Sequence, residues 1–199
     1  MDVTDSVIGS HIFQDITNPT WSAQVYFMDS ADLLNTIPIK SGSIIRILME
    51  TKHNVHTDMK HEFEFVVYKI DDKANQGQKT YTYTIYAATE DFVKSLTTRV
   101  SKNFNNRKMT DCIREVVSDN FNGMSVTGVG CDNNANVIIP NWTPYDAIGW
   151  QLKMAHSGGV ADFLFFQSDD KVYTLDTIRN CYGKLADSTT LRVKPANMG

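Results

Sequence analysis

The sequence predicts an α+β fold: a first half of antiparallel strands, arranged as a small barrel or a sandwich, followed by a second half that mixes helices and strands. Three observations carry this. Four runs before residue 88 are rich in β-branched and aromatic residues, and two of them alternate strictly. From about Thr89 the apolar period lengthens to that of amphipathic helices. Further on, two apolar runs flank a polar SDDK segment, as in a hairpin.

The strand runs are residues 21–28, 44–50, 62–70 and 79–87. In the third, Phe63, Phe65 and Val67 share one face; in the fourth, Tyr81, Tyr83 and Ile85 oppose Thr80, Thr82 and Thr84. That period reads as packing on a half-buried sheet, not as a stacking platform for bases. The polar stretch DDKANQGQ between these two runs reads as the loop of a long hairpin.

Thr89, Glu90 and Asp91 open a short helix with Phe92, Val93 and Leu96 on its apolar face, its acidic start suiting the positive end of the helix dipole. Residues 99–108 read as a basic connection, and a boundary falls between Ala88 and Lys108. Thr110 is positioned to cap a second helix with the stripe Ile113, Val116, Val117 and Phe121, stopped by Asn122 and Gly123. A Gly- and Asn-rich loop over 123–136 leads to a short strand at 137–139 and a rigid turn, Pro140-Asn141-Trp142-Thr143-Pro144. There Thr143 caps a third helix and Pro144 takes its first position, where a missing N–H costs nothing. That helix buries Ile148, Leu152 and Ala155 and ends at Ser157-Gly158-Gly159. The hairpin pairs 163–166 with 172–175, and residues 186–199 read as a polar tail.

Composition bounds the function. With 199 residues, 42% of them hydrophobic, the chain can bury a core without disulfide or metal. Nineteen Lys and Arg against 23 Asp and Glu are not the charge footprint of a dedicated nucleic-acid binder. No apolar stretch approaches the ~18 residues of a membrane span. The N-terminus lacks the basic and apolar regions of a secretory signal, so the chain is expected to fold where it is made. Cys112, Cys131 and Cys181, odd in number and widely spaced, are expected as free thiols in a reducing compartment, not as a disulfide framework or zinc site.

Few motifs point to chemistry. His53, His56 and His61, with Asp58 and Glu62, have a metal-like spacing, but they lie in a polar connection and read as a solvated loop first and a metal site second. Arg99, Lys102, Arg107 and Lys108 around Phe104 form a small basic and aromatic patch, read as ordinary surface charge or subunit pairing or, as the second possibility, as the rim of a single-stranded nucleic-acid module on an oligonucleotide-binding type of barrel. Asn141-Trp142-Thr143 matches a glycosylation acceptor only formally, and Gly128-Val129-Gly130 has no βαβ context. No hydrolase elbow, phosphate loop or zinc-protease motif occurs, so no catalytic residue, cofactor or metal is nominated.

Three segments together resemble the baseplate hub protein of T-even-type contractile-tailed bacteriophages, a likeness shared with the hub part of contractile injection machines. They are DSADLLNTIPIKSGSIIRILME at 29–50, RVSKNFNNRKMTDCIREVVSDNF at 99–121, and VIIPNWTPYDAIGWQLKMA at 137–155 followed by ADFLFFQSDDKVYTLDTI at 161–178. The resemblance implies an N-terminal antiparallel β-barrel over 1–99 and, over 100–199, an α+β domain with two amphipathic helices and a β-hairpin. It implies a strand in RVSKNF, and structural roles for Pro38, Gly42, Phe104, Pro140, Asn141, Trp142, Pro144, Phe165 and Phe166. It also implies a non-enzymatic homotrimeric ring in the virion's tail baseplate, assembled in the host cytoplasm. Such a ring meets the spike protein, the tail tube protein and other baseplate proteins, with DNA only in passage and no membrane binding. The family continues into a second barrel beyond the segments matched here, so the expectation is a fragment, a barrel supplied by another polypeptide, or a hub with one barrel per subunit.

Overall fold

The computed structural model describes residues 2–37, 39–51, 59–77 and 80–186. Its first sheet has five strands in the order β1-β2-β5-β4-β3: β1 (Val7–Phe13), β2 (Ser22–Asp29), β3 (Ile44–Thr51), β4 (Met59–Gly77) and β5 (Thr80–Ala88). All four pairings are antiparallel. β2 and β5 run in unbroken register from Ser22 opposite Ala88 to Asp29 opposite Tyr81, which makes them the straight centre. Against the same β5, β4 slips register three times, and bulges of this kind bend a strand and tighten its twist. The sheet therefore curls into a half-barrel whose outer strands β1 and β3 are not paired with each other.

The concave face carries the core. Val25, Phe27, Val67, Tyr83 and Ile85 form one buried cluster, and Trp21, Ala23, Phe65 and Ala87 a second. The rings of Phe27 and Tyr83 stack at 5.2 Å across the strands. Buried Asp29 ties the strand end to the next turn, accepting from the Leu33 amide at 2.7 Å and the Ala31 amide at 3.0 Å, where α1 (Leu33–Thr36) begins.

α2 (Glu90–Thr97) leads into the second half: β6 (Val100–Lys108), α3 (Met109–Asn120), β7 (Ser125–Gly128), β8 (Asn134–Trp142), α4 (Pro144–Leu152), β9 (Phe163–Asp169), β10 (Val172–Thr177) and α5 (Ile178–Ala186). β6 and β8 make an antiparallel ribbon, while β9 and β10 make the hairpin with β7 parallel on β10's other side. Val116, Val117 and Phe121 of the α3 stripe, Ile148 of α4 and the inner hairpin residues Phe165, Tyr173 and Leu175 close over one core.

Several expectations are corrected. DDKANQG is strand, not loop: β4 continues to Gly77, with Lys73 lying over the Tyr81 ring at 4.7 Å and the Gln76 amide donating to Thr82 at 3.2 Å, so polar residues pair where both faces are wet. The basic connection is strand β6, as the resemblance implied, because its alternate residues Val100 and Phe104 are buried. The Gly- and Asn-rich stretch contains β7, and β1 carries no alternation clean enough to have been read. Thr110 does not cap α3; it lies inside the first turn, where its hydroxyl accepts from the Cys131 amide at 3.2 Å. In α2 the buried residues are Asp91 and Ser95, and Leu96 is exposed. The expected rigid turn is the end of β8. One extra residue there leaves Asn141 at φ 55°, a bulge that turns the chain into α4.

Gly128 is fixed by space as well as angle. At φ 114°, an added Cβ would stand 2.0 Å from the Leu175 carbonyl oxygen, so only glycine lets β7 lie against β10.

Candidate assembly interface

The half-barrel offers its two edges and the mouth of its concave face. On β3 the side chains of Ile44, Arg46 and Leu48 point outward, and Ile44 and Leu48 are 59% and 56% exposed. Arg46 bridges to the neighbouring strand, donating to Glu64 at 2.9 Å and facing Glu62 at 3.7 Å. On β1 the exposed apolar residues are Ile8 and Phe13, with Ile16 just beyond. His11 sits between the rings of Phe13 and Tyr26, at 6.2 and 5.6 Å. The mouth is a cleft of about 470 Å³ lined by Val3, Phe27, Ile37, Ile39, Ile45 and Ile85. Unpaired strand edges and an open apolar cleft are features that strand addition or subunit contact uses.

A buried polar network joins α2 to the second half. The Tyr173 hydroxyl donates to Asp91 Oδ2 at 3.2 Å, and the Tyr145 hydroxyl lies 2.6 Å from that of Tyr173. Tyr173 has one proton to give, so Tyr145 is the donor to it. Burial raises the Asp91 carboxyl above the usual range, with the Tyr173 hydrogen bond opposing, and pushes both phenols well above theirs. A second tie is the buried Trp21 indole N–H, which donates to the Gln167 carbonyl at 2.9 Å. Sequence reading missed both ties, since the acidic start of α2 read only as suiting the helix dipole.

Two of the four cations of the basic patch are paired from within. Lys102 pairs with Glu115 at 2.8 Å and with Asp119, and Arg107 pairs with Glu115. Hydrogen bonds from Lys102 and Arg107 hold the Glu115 carboxyl below its usual range. Phe104 is buried beneath the two cations, at 5.7 and 5.4 Å, and cannot stack on a base. That packing removes Phe104 as a stacking platform, while Arg99 and Lys108 of the patch stay exposed.

The nine motif residues do not form one site. Gly42 turns the chain into β3 at φ 92°, its amide donating to the Val67 carbonyl at 2.8 Å. Phe104 and Phe165 lie in the second core, Phe165 stacked on Tyr173 at 4.7 Å, and Phe166 is half-buried beside it. Pro140 and Asn141 are exposed at the bulge, and Pro144 is buried at the start of α4. Trp142 packs edge-on to Trp150 at 5.3 Å, leaving a half-exposed aromatic patch. Pro38, His53, His56 and Asp58 lie outside the described residues. His61 is exposed beside Phe63, and Glu62 faces Arg46. Among the described residues no group of three or more His, Cys, Asp or Glu could hold a metal ion, and no helix is long and apolar enough to cross a membrane. Cys112 and Cys131 are buried thiols without a disulfide.

No family model and no curated protein matches the sequence. Solved structures do match the fold. The 43 kDa tail protein of prophage MuSo2 from Shewanella oneidensis superposes with a TM-score of 0.51 at 11% identity, over 84% of this chain and 49% of its own. A tail protein from Neisseria meningitidis gives 0.51 at 10%, over 83% and 44%. The chain has the fold of phage tail proteins. An E. coli component of the type VI secretion system, described as structurally similar to the T4 bacteriophage tail proteins gp27 and gp5, gives 0.51 at 10% over 85% and 47%. This agrees with the hub-type likeness read from the three sequence segments. The chain spans roughly half the length of these structures, and at such identity the likeness is one of backbone architecture alone.

Proposed function

We propose that the chain is a non-enzymatic structural subunit of a phage-type tail, a hub-type protein whose homotrimeric ring joins the tail tube to the central spike in the virion baseplate. The observation that carries this reading is the tail-protein fold, matched over 83% to 85% of the chain in three solved structures. On this reading residues 1–99 are the hub barrel and residues 100–199 the α+β scaffold that holds it. The nine motif residues shape that scaffold and its joints and contact no substrate.

A ring needs two different faces on each subunit, one to meet the neighbour ahead and one the neighbour behind. The outer strands supply candidates of unlike chemistry: β1 offers Ile8 and Phe13, and β3 offers Ile44 and Leu48 around the Arg46 ion pairs. Spike, tube and other baseplate proteins are the remaining partners, with DNA passing through the lumen.

Native mass spectrometry of the purified chain, alone and with the tube and spike proteins encoded beside it, tests the reading. A threefold mass and retention of either partner are expected. A chain that stays monomeric at high concentration and holds neither partner overturns it.

A further inference from the structure

α3 stops just before the one Asn-Gly pair of the sequence, Asn122-Gly123, and both residues are exposed. The turn they make toward β7 is closed by a backbone hydrogen bond from the Met124 amide to the Phe121 carbonyl at 3.3 Å, just beyond the usual range. Among the described residues the Gly123 amide donates to no carbonyl, and the Asn122 carboxamide has no hydrogen-bond partner. Nothing crowds Gly123 either: at φ 78°, a Cβ built on it would meet no atom within 4 Å.

Other asparagines of this half are tied or screened. Asn120 donates to the Val116 carbonyl at 2.7 Å, and Asn133 donates to the Met154 carbonyl at 2.9 Å while accepting from the His156 amide at 3.1 Å. Asn136 accepts from the Asn106 amide at 2.8 Å. Asn141 is exposed, but the nitrogen that follows it belongs to Trp142, a bulky residue.

We propose that Asn122 is a site of spontaneous modification, converting to aspartate and isoaspartate through a cyclic imide. Asparagine is chemically labile, and a following glycine, with no Cβ, leaves its own backbone nitrogen open to close approach. The Gly123 nitrogen bonds to Asn122 Cγ and gives up its proton. The Cγ–Nδ2 bond breaks, and that nitrogen leaves with the proton as ammonia. Water then opens the ring: cleavage at Cγ gives aspartate, and cleavage at the backbone carbonyl gives isoaspartate. The net change is one water consumed and one ammonia released, with nothing oxidised or reduced. Because the attacking nitrogen must lose its proton, the rate follows hydroxide.

The two products act differently. Asn122 lines a cleft of about 440 Å³ between the half-barrel and the second half, whose wall also carries Glu62, Glu64, Asp91 and Asp170, so aspartate adds a carboxylate to an acidic surface. Isoaspartate also lengthens the main chain by a carbon immediately before β7. That strand has little slack, since the Ser125 amide holds the Lys171 carbonyl at 3.0 Å and Gly128 lies hard against the Leu175 carbonyl. The site belongs to the single subunit, whatever the subunit assembles into.

The full chain is held at mildly acidic and at mildly alkaline pH, and peptide mapping by mass spectrometry follows each asparagine. Asn122 is expected to show the mass gain of amide-to-acid conversion before any other asparagine, faster at the alkaline pH, with isoaspartate methyltransferase labelling the product. Gly123→Ala, which sets a methyl beside the attacking nitrogen, should slow conversion severalfold. An Asn122 that stays an amide in the native chain while it converts in the heat-unfolded chain overturns the proposal, as does earlier conversion elsewhere. Asn122→Asp carries the charge without the longer backbone, so β7 amides should exchange severalfold faster in the aged chain than in this variant. Equal exchange in the two overturns the effect on β7.

Discussion

The hydroxyl of Tyr173 reaches Asp91 at 3.2 Å across 82 positions of sequence, and both groups are buried. The hairpin and α2 are thereby held by a hydrogen bond between two buried groups. Tyr173→Phe keeps the ring packing on Phe165 and removes the donor. It is expected to cost about 1–3 kcal/mol in denaturant unfolding, the penalty of a buried acceptor left alone.

The same carboxyl gives a pH dependence. Burial raises Asp91 above its ordinary value of about 3.9. Between the unfolded and folded values the native state therefore holds the extra proton, so stability falls as pH rises through that window and is level above it. Asp91→Asn lacks this slope. Its stability relative to the wild type should climb from about pH 4 upward and then flatten. Unfolding curves at several pH values read this directly, and parallel curves for the two proteins would refute the assignment.

Gly128→Ala should be among the most damaging single changes outside the core. The new methyl meets the Leu175 carbonyl, and the φ of 114° is strained for any side chain. Backbone strain alone costs about 1–3 kcal/mol. Amide exchange should show protection lost first in β7 and the facing half of β10.

The start of α4 rests on a reciprocal cap. Thr143 Oγ1 accepts from the Asp146 amide at 3.2 Å and donates to the Asp146 carboxylate at 2.6 Å. Thr143→Ala is expected to cost about 1 kcal/mol, and Thr143→Ser to restore most of it. Thermal unfolding of the two variants separates the hydroxyl from the methyl.

The pairing of Lys102 and Arg107 and the burial of Phe104 predict that a fluorescent single-stranded oligonucleotide shows no anisotropy change with the wild-type chain at low salt. Glu115→Gln, which unties Arg107 and leaves Lys102 only Asp119, is the variant in which weak salt-sensitive binding should emerge, at a stability cost within about 1 kcal/mol.

What could be read from sequence was what has a period. The alternation of Phe63, Phe65 and Val67 and the stripe of Ile113, Val116 and Val117 report a face, and the faces are where the structure has them. The cap at Thr143 with Pro144 was equally legible, because capping is local chemistry. Elements that depend on a distant partner were not. β7 is a strand because β10 lies beside it, and the polar end of β4 because β5 does. The cleft and the Asp91 network needed groups 80 or so positions apart to meet, and no spacing rule encodes that. The basic patch was visible as residues, while the pairing of Lys102 and Arg107 with Glu115 and Asp119 lay one helix further on.

The outer edges of the half-barrel also bear on how the chain avoids aggregation. Among the described residues no strand pairs with the outer edges of β1 and β3, and each such edge is a template on which an extended segment can add a strand, a source of aggregation risk. Arg46, Glu62 and Glu64 then act as gatekeepers, because a charged cross-strand cluster between Ile44 and Leu48 must be desolvated by an intruder that cannot match it. Neutralising the three together should raise light scattering of the isolated chain well before it changes its melting temperature. The outward charges shared by β3 and β4 thus guard the sheet edge against unspecific strand addition.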